Sequence, residues 1–153
     1  MNSDVSNIHG KDENGVRKVS VMLVDDDPIF LQIVAATLRT HHRDQLDIVG
    51  TARSSEECIL QAQALIPQVV LMDLNMPGRG GLWAIPLLQV LFPETRVIAL
   101  TLKDDPHSRG AVLAAGGTDL VSKAAWQTDL IPAIQRAVRM DDLHPSQVQA
   151  NPS

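Results

Sequence analysis

The chain has 153 residues, enough for one domain with a core of its own, and its 13 Lys plus Arg stand against 18 Asp plus Glu for a formal charge of -5. That balance argues against a generally basic surface, so no direct nucleic-acid binding by this chain and no membrane association are expected, and the 44% hydrophobic and 20% charged content is globular rather than disordered. The single cysteine, Cys58, forms no intrachain disulfide, and no apolar run has the length of a secretory signal or a membrane span, which makes a cytoplasmic setting the expectation.

Residues 1–18 are polar and lack apolar periodicity, and 141–153 carry prolines among polar residues, so both read as flexible termini around a domain at 19–140. Five short runs rich in Val, Ile and Leu have strand length: 19–24, 47–52, 68–72, 95–100 and 118–122. Each of the first four precedes a longer segment of helical apolar spacing, and 126–140 follows the fifth. Strands separated by helices pair in parallel through crossovers, and a continuous run such as Val69-Val70-Leu71-Met72 suits a strand covered on both faces. The fold class is therefore α/β, a doubly wound five-stranded parallel sheet with five helices.

Local chemistry marks the helix ends. Asp27-Pro28 and Asp105-Pro106 each put a capping carboxylate before a proline suited to the first helical position, and Ser54 with Glu57 has capping-box spacing. Gly116 and Gly117 are suited to stop the fourth helix, which Gly110 interrupts. Pro86 is expected to kink the third helix, while Pro132 lies near enough to the start of the fifth to be tolerated.

In an open parallel sheet the ligand site lies beyond the carboxyl ends of the strands, where strand order reverses. The first strand leads into Asp25-Asp26-Asp27, the third into Asp73, the fourth into Thr101 and the fifth into Lys123; the second ends in nothing comparable. The flavodoxin-like order 2-1-3-4-5 gathers those ends into one cleft. Carboxylates crowded there need a cation or must hold a proton, and hard oxygen ligands with room for water suit Mg²⁺. Lys123 and Thr101 would meet a phosphoryl group at further oxygens, and Asp73, before the Pro77-Gly78 turn, is the nucleophile candidate.

These residues resemble the receiver domain of two-component response regulators. The likeness runs from about residue 19 to 139 and rests on Val24-Asp25-Asp26-Asp27-Pro28, Leu71-Met72-Asp73-Leu74-Asn75-Met76-Pro77-Gly78, Leu100-Thr101 and Val121-Ser122-Lys123. The resemblance implies that Asp73 is the phosphoacceptor and that Asp25, Asp26, Asp73 and the backbone carbonyl of Asn75 bind Mg²⁺. It makes Thr101 the switch hydroxyl and Lys123 the phosphate-binding lysine. It further implies a sensor histidine kinase or a histidine phosphotransfer protein as donor, and a homodimer or partner surface on the fourth helix, fifth strand and fifth helix. Such a chain is not an enzyme on external metabolites; it assists its own phosphorylation and dephosphorylation, stand-alone or as part of a longer, transcriptional regulator.

Three positions depart from the family's usual pattern: Leu102 replaces a small residue, Leu120 an aromatic one, and Ala124 the proline after the lysine, which makes a cis peptide there less assured. They leave the acceptor chemistry intact and put the relay in question. Taken singly, Asp27 is a helix cap, Asp73 turn chemistry, Lys123 an exposed lysine and Thr101 a β-branched strand residue; only their positions as a set point elsewhere. His41 and His42 lie at the polar end of the first helix and receive no role. Cys58, Trp83 and Trp126 read as packing residues and Arg79 as a solvated loop residue. A haloacid-dehalogenase-type phosphatase would want an Asp where Asn75 stands, and a receiver-like scaffold acting without phosphorylation would leave the acceptor set unexplained.

Overall fold

The computed structural model describes residues 17–143, so most of the two expected flexible termini, 1–16 and 144–153, lies outside the described residues. The chain alternates β1 (Val19–Val24), α1 (Pro28–His41), β2 (Leu46–Ala52), α2 (Ser55–Leu65), β3 (Val69–Asp73), α3 (Gly81–Leu91), β4 (Arg96–Thr101), α4 (Pro106–Ala115), β5 (Asp119–Ser122) and α5 (Trp126–Leu143). The five strands form one sheet in the order β2-β1-β3-β4-β5, all pairs parallel. Strand limits differ from the sequence expectation by one residue in places. Gln68 precedes β3, its side-chain oxygen accepting from the Ser20 N–H at 3.1 Å, and Asp73 closes that strand opposite Leu100.

Each strand sends alternate side chains to opposite faces. On one face, Val21, Leu23, Val69, Leu71, Ile98, Leu100 and Val121 pack against α1 and α5 through such residues as Val34, Leu38, Leu130 and Ile134. On the other, Met22, Val24, Val70, Met72, Val97, Ala99 and Leu120 pack against α2, α3 and α4 through Cys58, Ala62, Ala84, Ile85, Leu88 and Val112. These two apolar layers explain why the strands read as unbroken hydrophobic runs.

The caps form as the residue types dictate. Asp27 accepts from the N–H of Ile29 and Phe30 at 3.0 and 3.4 Å, and Asp105 accepts from that of Ser108 at 2.7 Å. Ser54 accepts from the Glu57 N–H at 3.0 Å, but the Glu57 carboxylate reaches back to the Arg53 N–H rather than closing the box on Ser54. The helical span of α3 continues through Pro86 from Gly81 to Leu91. Of the two glycines after α4, only Gly116 takes a left-handed conformation, with φ 108°. The fifth helix runs to Leu143, three residues beyond its expected end at 140.

Gly110 sits inside α4 with open space where a Cβ would stand, whereas a Cβ on Gly117 would lie 2.5 Å from Val112 Cγ1. Gly110→Ala should therefore raise stability by about 0.5–1 kcal/mol, and Gly117→Ala should lower it by about 1–3 kcal/mol. Urea unfolding midpoints check both, and equal shifts in one direction would contradict the packing described.

Candidate functional site

At the carboxyl edge of the sheet, parallel register sets the depth of each functional side chain. Val24 pairs with Met72, Asp73 with Leu100 and Thr101 with Ser122, so Asp25, Asp73, Thr101 and Lys123 emerge at one level. Backbone bonds continue the strands into the loops: Leu74 N–H to Leu100 O at 2.9 Å, Lys123 N–H to Thr101 O at 2.7 Å, and Asp25 N–H to Ala52 O at 3.0 Å. The loop residues that follow are held in place by the ladder itself.

Asp25, Asp26 and Asp73 each offer a carboxylate oxygen within 4.8 Å of the other two; Asp25 and Asp73 are buried and Asp26 is half-buried. Lys123 Nζ lies 2.7 Å from Asp25 Oδ2 and 3.4 Å from Asp73 Oδ1. Asp25 Oδ1 accepts from the Asp27 N–H at 2.9 Å and Asp73 Oδ1 from the Asn75 N–H at 3.0 Å. The Thr101 hydroxyl stands 3.4 Å from Asn75 Oδ1 and 3.2 Å from the Lys103 carbonyl, while the Lys103 N–H donates back to it at 3.2 Å. Every side chain of the expected set is thus drawn into one cluster.

The electrostatics follow from crowding. Burial pushes the Asp73 carboxyl above its ordinary range; the Asn75 N–H opposes this, the Asp25 charge adds to it, and Lys123 works against it. Burial alone would lower the Lys123 ammonium, but its 2.7 Å contact with Asp25 and the charges of Asp73 and Asp25 outweigh that and raise it. Lys123 therefore stays charged between two carboxylates. Three carboxylates against one ammonium leave an excess of negative charge, and Asp25 Oδ2 is buried without a well-directed hydrogen bond even beside Lys123. An all-oxygen donor set with that deficit fits a Mg²⁺ ion, and it contains no thiolate or imidazole for zinc.

Two contributors escaped the sequence reading. Phe30, in the first turn of α1, places its ring 4.6 Å from Lys123 Nζ and meets Trp126 edge-on at 6.1 Å and 78°. Arg53, just after β2, donates from Nη2 to the Asp26 carbonyl at 3.1 Å, so the second strand does end in something relevant. A basic residue directly after a strand was the only signal for it.

Of the departures, Leu102 projects into solvent at 73% exposure beside Thr101, and Leu120 is buried in the layer under α2, α3 and α4. The Lys123–Ala124 peptide is trans, as are all those in the described residues. Arg79 is exposed in the loop before α3, as expected, and its guanidinium also lies 4.6 Å over the Trp83 ring. Burial, with the nearby Glu57 charge adding, pushes the Cys58 thiol up to about 12, consistent with a packing role. The His pair lies at the end of α1 remote from its Asp27 cap, away from the cleft.

The family model for the response regulator receiver domain matches residues 21–135. The chain is 35% identical over 117 residues to the response regulator GacA of Pseudomonas protegens, covering 76% of this chain and 54% of that one. It is 30% identical over 118 residues to the transcriptional regulatory protein MctR of Rhizobium johnstonii, covering 77% and 54%. The isolated receiver domain of RcsB from Salmonella enterica serovar Typhimurium, solved with the phosphomimetic BeF3-, superposes with a TM-score of 0.69 at 29% identity, covering 78% of this chain and 87% of that one. With its sheet order and acidic cleft, this chain belongs to the response regulator receiver domain family. It spans about half the length of the curated relatives it matches. Among the described residues no helix is long and apolar enough to cross a membrane.

A raised carboxyl value means that the fold binds the Asp73 proton more tightly than the unfolded chain does, so this group's contribution to stability is lost as pH rises through the folded value. Asp73→Asn, which removes one charge from the cluster, should in chelator raise stability at pH 7 by on the order of 1 kcal/mol. The gain should shrink as pH falls and the wild-type carboxyl protonates. A variant less stable than wild type at pH 7 would show that Lys123 already compensates Asp73 in full.

Proposed function

We propose that this chain is a phosphorylation-controlled receiver that takes a phosphoryl group onto Asp73 from a phosphohistidine on a sensor histidine kinase or a histidine phosphotransfer protein. A carboxylate oxygen of Asp73 attacks phosphorus, the P–N bond breaks with its electron pair returning to the imidazole nitrogen, and an aspartyl phosphate forms. The observation that carries this reading is the Lys123 ammonium held at 2.7 Å from Asp25 and 3.4 Å from Asp73, a cation ready to meet a phosphoryl oxygen beside the nucleophile. Asp25, Asp26, Asp73 and the Asn75 carbonyl would hold Mg²⁺, whose charge screens the phosphoryl oxygens against the carboxylates when it is bound.

The Thr101 hydroxyl has one proton and is shared between Asn75 and the Lys103 carbonyl. A phosphoryl oxygen would compete for that proton and loosen the turn at Lys103. The next residue, Asp104, pairs with Arg109 of α4 at 3.1 Å; Arg109 also reaches Asp119 at 3.2 Å and the Leu120 carbonyl at 3.2 Å, and Arg136 of α5 meets Asp119 at 3.0 Å. Exposed pairs of this kind contribute about 0–1 kcal/mol each, so they orient the α4–β5–α5 face more than they stabilise it. That support favours this face as the surface for partners or a homodimer. Control of transcription would be the output of a longer regulator built on such a receiver; the relative MctR is named a transcriptional regulatory protein, and this chain covers 54% of it.

Incubation with Mg²⁺ and a small acyl phosphate, followed by intact-mass measurement, should add one phosphoryl group to the wild type, none to Asp73→Asn, and none when the metal is chelated. Equal labelling of both proteins would move the acceptor elsewhere, and an unlabelled wild type would favour a scaffold that binds partners without phosphorylation. Lys123→Ala should still be labelled, on the order of 10–100-fold more slowly, and its amide-exchange change on the α4–β5–α5 face should be weakened. A full-sized exchange response in that variant would remove Lys123 from the switch.

A further inference from the structure

Resting on the Mg²⁺ site proposed above, we infer that Arg53 is a positioning residue for that site, holding the metal-ligand loop from the neighbouring β2–α2 turn. The β1–α1 loop carries Asp25 and Asp26, and Asp26 is the more exposed ligand of the two. Among the described residues, the hydrogen bond from Arg53 Nη2 to the Asp26 carbonyl, 3.1 Å long, joins side chain to backbone across 27 positions of sequence. It fixes the peptide plane next to the ligand, and so the direction in which the Asp26 carboxylate leaves the chain.

A brace needs a fixed anchor, and the β2–α2 turn is one. The Arg53 N–H is bound by the Glu57 carboxylate, the Ser54 hydroxyl caps α2 through the Glu57 N–H at 3.0 Å, and the buried Ser55 hydroxyl donates to the Gly80 carbonyl at 3.1 Å. Gly80 in turn caps α3, whose next residue, Gly81, lies so close to the Asp73 carbonyl that a Cβ would sit 2.8 Å from it. One turn therefore grips the loop of Asp26 on one side and the loop after Asp73 on the other. The remaining link at Asp26, from Arg53, is solvent-exposed and depends on a single side chain.

Two effects of Arg53 on a cation oppose each other. Its positive charge near the cleft repels Mg²⁺, whereas its hydrogen bond pre-orders a ligand for it. The charge effect is screened at this exposed position, so ordering should win. The sign of the change on removing the side chain thus separates the two roles.

Isothermal titration calorimetry with MgCl2 on the unphosphorylated full chain provides the test. Arg53→Met, which keeps an apolar stem without donors or charge, should bind Mg²⁺ about threefold to tenfold more weakly, a smaller loss than the ~10–100-fold usual for outer-shell partners because the contact faces water. Arg53→Lys, with charge and a donor retained, should recover part of the loss, and neither variant should shift the urea midpoint. Equal or tighter binding by Arg53→Met would overturn the inference, as would a lysine variant as weak as the methionine one or a loss seen only with a lowered urea midpoint. Saturable binding by the wild type leaves the metal site standing in each of those cases; its absence would overturn the metal site and the role of Arg53 together.

Discussion

Three carboxylates forced within 4.8 Å of one another are the constraint around which this molecule is organised. At an effective dielectric of about 20, each such pair repels by on the order of 3–4 kcal/mol, a large fraction of the about 5–15 kcal/mol by which a domain is stable. Lys123 offsets part of this by sitting between Asp25 and Asp73, and the Asp73 carboxyl is still shifted upward, first by burial and then by the Asp25 charge. That cost supports the proposed role of the cluster as a place where a doubly charged cation and a transferable anionic group would meet, each supplying what the other lacks.

Holding that cluster requires a frame stiff enough to resist it. Val70, Met72, Val97 and Ala99 bury one face of the central strands and Val69, Leu71, Ile98 and Leu100 the other, so neither β3 nor β4 slips without exposing apolar side chains. The frame also decides which groups move. Asp25 and Asp73 are bound to the backbone through the Asp27 and Asn75 N–H groups, but Thr101 shares its single proton with two acceptors, Asn75 and the Lys103 carbonyl, at 3.4 and 3.2 Å. The strongly held groups make the site; the loosely held one is suited to report on it.

Much of this could be read in the sequence because the fold is built from local signals. Continuous Val, Ile and Leu runs mark buried parallel strands, Asp-Pro marks two helix starts, and the order of strand-terminal residues then places Asp25, Asp26, Asp73, Thr101 and Lys123 together once the topology is known. What stayed hidden is what no local pattern encodes. Phe30 and Lys123 are far apart in the chain, and the ring stands 4.6 Å from the ammonium only because α1 and β5 border the same edge. Arg53 meets Asp26 across 27 positions. The Glu57 carboxylate had two nearby amides to choose between, and the geometry of the turn, absent from the sequence, favoured Arg53.

The departure at Leu120 takes on a different meaning beside the Arg109 network. An aromatic side chain that turns inward needs space in the layer beneath α4, and here Leu120 fills that layer at 3% exposure, packed with Val97, Ala99 and Val112. What links β5 to α4 at this point is instead the Leu120 carbonyl and the Asp119 carboxylate, both bound by Arg109, which also holds Asp104 on the loop that follows Thr101. In the proposed receiver, a movement starting at Thr101 would reach the α4–β5–α5 face through hydrogen bonds to one guanidinium rather than through repacking of a ring. The Arg109 pairs with Asp104 and Asp119 lie outside the two apolar layers and are individually weak, so an exchange of partners there would leave the sheet beneath undisturbed.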